Sequence, residues 1–368
     1  MNVYVGIAVV GLTCVSVAHA SQPEQIKPRT TQYCAYGLGD SAPGAYATPT
    51  AINNRNHIVG YYVSDGRPLP FVWSAETGMR KLPLLEGDDM GSAADINDRG
   101  EIVGVSMNQA EFMEHSVRWH RNGEIEALSI PFVEGASHYA TGINRRGDIT
   151  GSSNRRPANP IDRGYLLERN GNAIDLGTLD SPYPASTALG LNDAGTVVGF
   201  STFGFQSNAF VWTRATGLEL LWEPGRDGWY AIAAYAVNNR GHVVGSMESN
   251  AGFDSFFWSR QGGLVFFNVP DGSAKDINAR DQVVGWGSDY GYLWDRRNGV
   301  QDLNTLVDRS SSEPVGQIIT GYSINDAAWI AAQADDGTQT RAVVLIPQRR
   351  AKKPCPPTVP RASAPVEQ

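Results

Sequence analysis

Apolar and polar positions alternate in short runs along this chain, and one run recurs. It consists of an apolar residue, Asn, two polar residues, a turn residue, and then an apolar pair closed by Gly. It reads AINNRNHIVG from Ala51, DINDRGEIVG from Asp95, GINRRGDITG from Gly142 and GLNDAGTVVG from Gly190. It continues as AVNNRGHVVG from Ala236, DINARDQVVG from Asp276 and, degraded, SINDAAWIAA from Ser323. Asn53, Asn97, Asn144, Asn192, Asn238, Asn278 and Asn325 stand 44, 47, 48, 46, 40 and 47 residues apart. A period in the mid-forties marks one supersecondary unit built repeatedly, so the repeat defines the fold before any single residue does.

Four apolar segments recur per period. A short one ends at the Asn (AADIN, Ala93 to Asn97), and a second follows the turn (EIVGVS, Glu101 to Ser106). A third is aromatic, as in PFVW (Pro70 to Trp73), FVW (Phe210 to Trp212) and YLW (Tyr292 to Trp294). The fourth follows a Gly: GMRKLPLL (Gly78 to Leu85), GNAIDLGTL (Gly171 to Leu179) and GVQDLNTL (Gly299 to Leu306). Short β-branched and aromatic runs separated by turn signals predict an all-β protein. Four strands in each of seven repeats predict a seven-bladed β-propeller; an open β-solenoid is the alternative. The first-to-second and third-to-fourth joins read as tight hairpins. The fourth-to-first join, as from Leu82 to Ala94, suits a crossing from the outside of one blade to the inside of the next.

The seventh repeat stops after AVVLIP (Ala342 to Pro347), while an orphan segment, YCAYGLGD (Tyr33 to Asp40), precedes the first. Supplying the missing fourth strand from the N-terminus would close the ring and remove an exposed edge. Such a ring is expected to be a monomer.

An Asn at the first position of a tight turn can bond the backbone two residues on. The fourth turn position holds Asn56, Gly100, Gly147, Gly195, Gly241, Asp281 and Ala328, six of which tolerate a left-handed conformation. The recurrent Asn therefore reads as hairpin chemistry. A calcium loop at DINDRGE lacks further acidic ligands at fixed offsets. The glycine inside each second strand, Gly60 to Gly285, is expected to admit a large ring, with the third-strand Trp as the candidate. His57, Glu101, Asp148, Thr196, His242, Gln282 and Trp329 share the slot after the turn, which reads as exposed.

Composition sharpens the compartment. Residues 1–20 carry no charged side chain, run apolar from Val3 to Val17 and end Ala18-His19-Ala20, a secretory signal pattern with cleavage after Ala20. The apolar run is shorter than the roughly 20 residues that span a bilayer, so no stable membrane span is expected after cleavage. The protein is expected to be exported, to the periplasm or the medium. Export leaves Cys34 and Cys355, a candidate disulfide that would clasp the closing strand; the alternative is a free Cys355 in the tail. Residues 31–348 form the repeat body, and 349–368 a basic, Pro-rich tail without core-forming residues, expected to be flexible. Net charge is −8, and the last twenty residues hold five Lys/Arg and one Glu, which leaves 25 basic against 37 acidic residues elsewhere. That balance repels phosphate backbones and argues against nucleic-acid binding.

The pattern A-x-x-I-N-x-x-G-x-V-V-G, then an aromatic F-x-W, then G-x-x-x-D-L-G-x-L, resembles the repeats of the HAF family of extracellular bacterial proteins. The resemblance covers Tyr33 to Pro347 and is closest in the fourth repeat, ASTALGLNDAGTVVGF (Ala185 to Phe200). The seventh repeat departs, with Ala327-Ala328 at the turn and Ala331 for the Gly. The resemblance implies an exported β-repeat protein and supplies no reaction.

No His, Cys or acidic spacing matches a metal site, and no nucleotide or nucleophile motif is present, so neither a cofactor nor catalytic residues are assigned. Asp193-Ala194-Gly195 matches only part of a sialidase Asp box. Any site is expected on the irregular second-to-third and fourth-to-first loops. There Trp229, Tyr230, Tyr183, Tyr139, His138 and Phe205, with Arg155 and Arg156, could bind a glycan or protein partner. The alternatives are that the aromatics cover the blade tops, and that Arg155, Arg156, Asp88 and Asp89 are solvated charges. A polysaccharide hydrolase or lyase would need paired carboxylates or a His at the channel mouth.

Overall fold

Every repeat folds into a four-stranded antiparallel sheet, and seven such sheets make up a β-propeller. The computed structural model describes residues 31–39, 46–110, 113–130, 137–154, 162–203, 206–223, 228–249, 252–309, 315–348 and 354–359. The signal-like segment and most of the basic tail lie outside these residues. Blade 1 is formed by Ala47–Ile52, Ile58–Ser64, Arg67–Ser74 and Gly78–Lys81, with strand neighbours in chain order. First strands of adjacent blades touch one another around the centre. The outer strands are shorter than the sequence suggests. Blade 6 ends its fourth strand at Asp302, which caps a one-turn helix, Leu303–Leu306, by accepting from the Asn304 amide at 2.8 Å.

The apolar pair after each turn follows from this packing. A blade buries both faces, so neighbouring strand positions, which point to opposite faces, must both be apolar. Ile58 enters the cluster shared with blade 7, and Val59 the one shared with blade 2. Each of the seven interfaces between blades holds one apolar cluster of this kind.

The glycine that follows the pair is required by close approach. A Cβ on Gly60 would stand 2.1 Å from the Thr48 carbonyl and one on Gly245 2.0 Å from that of Ala233. The ring it admits is Phe71, Tyr165, Phe256 or Tyr292 rather than the Trp. Register explains the correction: Gly60 lies opposite Phe71, whereas Trp73 lies opposite Ile58. In blade 7 register puts Ala332, not Ala331, in the glycine position. Its first-strand partner is Gly321, where blades 2 to 6 have Ala, so the small residue has moved across the pair.

The ring closes, and the solenoid alternative falls. Tyr33–Gly37 pairs antiparallel with Thr340–Pro347 as the outer strand of blade 7. Cys34 and Cys355 form a disulfide across 321 residues of sequence. The residues after Cys355 also make contacts: Tyr36 OH donates to the Pro356 carbonyl at 3.0 Å, and Val359 packs on the apolar cluster between blades 7 and 1.

Candidate binding faces

Strand direction sorts the connections. First strands end at the Asn turns, so these turns and the third-to-fourth turns share one end of the ring, the turn face. The second-to-third and fourth-to-first joins share the other, the loop face.

At the turn face all seven hairpins have one geometry. The fourth turn residue has positive φ in each, from 60° at Asp281 and Ala328 to 90° at Gly147, so the degraded seventh turn adopts the same conformation. Within each turn the Asn Oδ1 accepts two backbone amides, as in Asn192 from Ala194 at 3.0 Å and Thr196 at 2.9 Å. Hairpin chemistry leaves the side-chain NH2 unused, and the structure shows its task. Asn53 Nδ2 donates to the Asn97 carbonyl of the next blade at 2.9 Å, and Asn97 to that of Asn144 at 3.1 Å. Asn144, Asn192, Asn238 and Asn278 repeat the contact at 3.0–3.2 Å. Asn325 returns to Asn53 at 3.0 Å and closes the circle. The residue after the Asn adds a partial second circle. Asp98, Asp193, Asn239, Asp326 and Asn54 each accept the backbone amide of the preceding blade's equivalent residue. It is interrupted where the acceptor position holds Arg145 or Ala279, neither of which offers a side-chain acceptor.

The slot after the turn, expected to be exposed, is half-buried or buried throughout. Its side chains satisfy the second hydrogen of the Asn amide: Glu101 accepts from Asn97 at 2.8 Å, Asp148 from Asn144 at 3.0 Å and Gln282 from Asn278 at 3.0 Å. Inside the circle lies a cavity of about 230 Å³ lined by the turns together with Asp95, Asp276 and Arg145. Asp95 Oδ2 accepts from the Ile143 amide of blade 3 at 2.8 Å. Burial pushes its carboxyl up to about 6, against the lowering effect of two backbone hydrogen bonds, with Asp276 and Asp98 adding like charge. Burial raises Asp276 likewise, and it bridges to Ser323 and Ile324 of blade 7 at 2.6 and 2.9 Å.

The loop face carries the irregular chemistry. His138 and Tyr139 lie near the start of the first strand of blade 3, Ser137–Ile143, opposite Ser153 and Ser152. Tyr139 OH donates to Glu114 Oε2 of blade 2. Beside Glu114, His115 Nδ1 stands 3.5 Å from Asp88 Oδ2. Neither atom makes a hydrogen bond among the described residues, and His138 Nδ1 is also buried without one. Burial lowers the basicity of His138, and the nearby His115 adds to the effect. Asp88 corrects the expectation of a solvated charge: the joins from blade 1 to blade 2 turn it inward, leaving its side chain 5% exposed. Tyr139 reaches Glu114 only through the packing of blade 3 on blade 2, and Asp88 reaches His115 only through the folding of the join into blade 2, relations with no signal in linear spacing.

Tyr183 is 70% exposed on the join into blade 4. Trp229 and Tyr230 begin the first strand of blade 5, Trp229–Val237. Phe205, Arg155 and Arg156 lie outside the described residues. The structure therefore separates the aromatic candidates from His138 and Tyr139 by blade. It adds three exposed apolar side chains that the sequence left unnamed as binding residues: Tyr46, Phe203 and Phe253.

No protein-family model matches this sequence, and no curated protein matches it. Similar solved structures are propellers. An oligogalacturonate lyase in complex with manganese has a TM-score of 0.57 at 11% identity, over 87% of this chain and 97% of that one. Virginiamycin B lyase from Staphylococcus aureus gives 0.53 at 14% identity, over 86% and 100%. The β-propeller domain of the Trilobed protease from Pyrococcus furiosus, of open velcro topology, gives 0.52 at 9% identity, over 83% and 94%. Identities this low show a common fold alone.

Proposed function

We propose that the protein is an exported β-propeller of the HAF-repeat kind that binds a glycan or protein partner on its loop face. One observation carries the reading. The exposed large apolar side chains among the described residues, Tyr46, Tyr183, Phe203 and Phe253, all belong to the loop face, and three of them belong to blades 4 and 5. Apolar surface concentrated on one side of a soluble ring marks an interaction site. Tyrosine and phenylalanine offer flat faces for sugar rings or apolar peptide side chains. The same joins carry Asp65, Asp89, Asp180, Asp271 and Asp289. Arg67 and Arg341 there already stand beside Asp89 and Asp336, at 3.5 and 3.0 Å. That field favours a neutral glycan or a basic protein segment. Export is supported by the signal-like residues 1–20 and by the disulfide. No helix among the described residues is long and apolar enough to cross a membrane. The test is a glycan array and a pull-down with the chain from Ser21, repeated on the triple variant Tyr183→Ala, Phe203→Ala, Phe253→Ala. Binding that survives the triple substitution, or no binding by the parent, overturns the reading.

A second reading, a polysaccharide lyase or hydrolase, is supported by two pairs at the loop ends of blades 2 and 3, Tyr139 with Glu114 and His115 with Asp88, and by His138 near His115. A His whose basicity burial lowers, next in the chain to a Tyr that donates to a carboxylate, brings groups suited to proton transfer to one loop end. Depolymerisation by the parent that is abolished in both His138→Ala and Glu114→Gln would establish it; no release of oligosaccharide from any of a neutral and acidic polysaccharide panel would remove it.

A further inference from the structure

We infer that the turn face holds a second binding groove, for an anionic glycan chain, crossing blades 3 to 6. Two cavities of about 710 Å³ each adjoin there, with Thr196 and Thr213 lining both. Three guanidinium groups line the first (Arg146, Arg169, Arg214) and three the second (Arg240, Arg260, Arg296). Carboxylates line only the first, at Asp148 and Glu168, and both are engaged. Asp148 accepts from Asn144 at 3.0 Å and Arg146 at 2.9 Å, and Glu168 from Asn172 at 2.8 Å and Arg214 at 2.5 Å. With Asp281 and Glu219, the partners of Arg240 and Arg260, counted as well, six arginines still face four carboxylates along this groove of a chain of net charge −8.

Three of these six arginines, Arg260, Arg296 and Arg169, are held in ways that a ligand can replace; the others are paired, Arg146 with Asp148 at 2.8 Å, Arg214 with Glu168 at 2.5 Å and Arg240 with Asp281 at 3.1 Å. Arg260 reaches Glu219 at 3.4 Å with the two side chains 68% and 42% exposed. Such a pair is worth at most about 1 kcal/mol, so its guanidinium exchanges partners readily. Arg296 lies over the Phe257 ring at 4.7 Å and makes no ion pair among the described residues. Arg169 donates its side chain to the Arg146 carbonyl at 3.2 Å. The planar guanidinium fork matches carboxylate or sulfate with two parallel hydrogen bonds. Trp212 and Trp258 line the two cavities, and Thr196, Thr213 and Ser259 add hydroxyls. Aromatic edges, hydroxyl partners and spaced guanidiniums together fit a sugar chain bearing repeated acidic groups. Single-stranded nucleic acid, the other polyanion these arginines would attract, binds by stacking its bases on exposed aromatic faces; Trp212 is buried between blades 3 and 4 and offers none.

The test is affinity electrophoresis of the chain from Ser21 in gels containing alginate, heparin or neutral dextran, with single-stranded DNA as a competitor. Alginate and heparin are expected to retard the protein and dextran not, with retardation fading as salt rises. The double variant Arg260→Ala, Arg296→Ala is expected to bind alginate at least tenfold more weakly with an unchanged melting temperature, and Arg260→Lys, Arg296→Lys to recover part of the loss. The triple aromatic variant of the loop face should bind alginate as the parent does, which separates this groove from the loop-face reading. Absence of retardation, retardation unaffected by the double variant, or DNA displacing alginate at equal charge concentration would each overturn the inference.

Discussion

Replacing Asn192 by Asp separates the two tasks of the recurrent Asn. Asn192 is 5% exposed; its Oδ1 accepts from Ala194 and Thr196 within the turn, and its Nδ2 donates to the Asn238 carbonyl of blade 5 at 3.0 Å. Asp serves the turn as well as Asn does, so turn chemistry alone predicts a change within about 0.5 kcal/mol. The circle predicts otherwise. Asn192→Asp loses one donor and sets a carboxylate oxygen against the Asn238 carbonyl. The lost hydrogen bond is worth about 1 kcal/mol net, and the buried carbonyl left without it about 1–3 kcal/mol more. A loss of about 2–4 kcal/mol results, or roughly 3–6 °C in melting temperature for a chain of this size. Calorimetry near pH 7 measures it. Lowering the pH provides an internal check. Burial and the facing carbonyl raise the introduced carboxyl above its unfolded value of about 3.9, and once protonated it donates a hydrogen bond again. The penalty is therefore full above the folded pKa and shrinks as pH falls toward about 4. A melting temperature within about 1 °C of the parent near pH 7, or a deficit that stays constant with pH, would refute the reasoning.

Three further outcomes follow from named contacts. Reducing the Cys34–Cys355 bridge, or Cys355→Ser, releases a 321-residue link, for which chain entropy gives about 6 kcal/mol; a melting temperature insensitive to reductant would contradict a clasp of that strength. With its folded pKa raised to about 6, Asp95 favours folding most below its unfolded value of about 3.9, and that contribution is lost as pH rises toward 6. Asp95→Ser should flatten the fall in urea stability over that window, because Ser323 fills the same position in blade 7 and accepts from Ile52 at 3.2 Å; an unchanged slope would show that Asp95 does not titrate there. Gly241→Ala meets no atom within 4 Å but must hold φ at 76°, so urea denaturation should show a cost of about 1–2 kcal/mol from backbone strain alone.

Blade number, strand phase and closure were legible because each rests on a local rule that the chain repeats: alternating apolar positions, a left-handed fourth turn residue, a missing last strand matched by an orphan first one. The circle of Asn bonds was not, although its residues were the most conspicuous in the sequence. An Asn that begins a tight turn is already explained by its own hairpin, so nothing local calls for a second partner. Only the packing of one blade on the next brings its NH2 to a carbonyl 40 to 48 residues away. Asp88 escaped for the same reason, since its burial depends on the fold of the join; Ala332 needed no structure, being the tenth residue of the phrase from Ser323 as Gly60 is of that from Ala51.

That distinction bears on where binding can evolve in such a ring. The positions that repeat are bound to one another: the Asn amides, the Gly that admits a carbonyl, and the apolar pair each complete a neighbouring blade. A substitution in any of them disturbs an interface that the six other blades depend on for closure. Side chains on the joins and on the outer turns carry no such obligation. Phe203 and Phe253 can vary without loosening the ring, and so can Arg260, whose partner Glu219 is exposed, and Arg296, which makes no ion pair among the described residues. The two faces consequently accumulate different chemistry, aromatic and acidic on the loops, arginine-rich across the turns of blades 3 to 6, on a frame that constrains neither. With both proposed surfaces occupied as argued above, such a propeller would hold an acidic polymer on one side while presenting the other to a neutral or basic partner. The closed Asn circle keeps both faces in fixed relation while it does so.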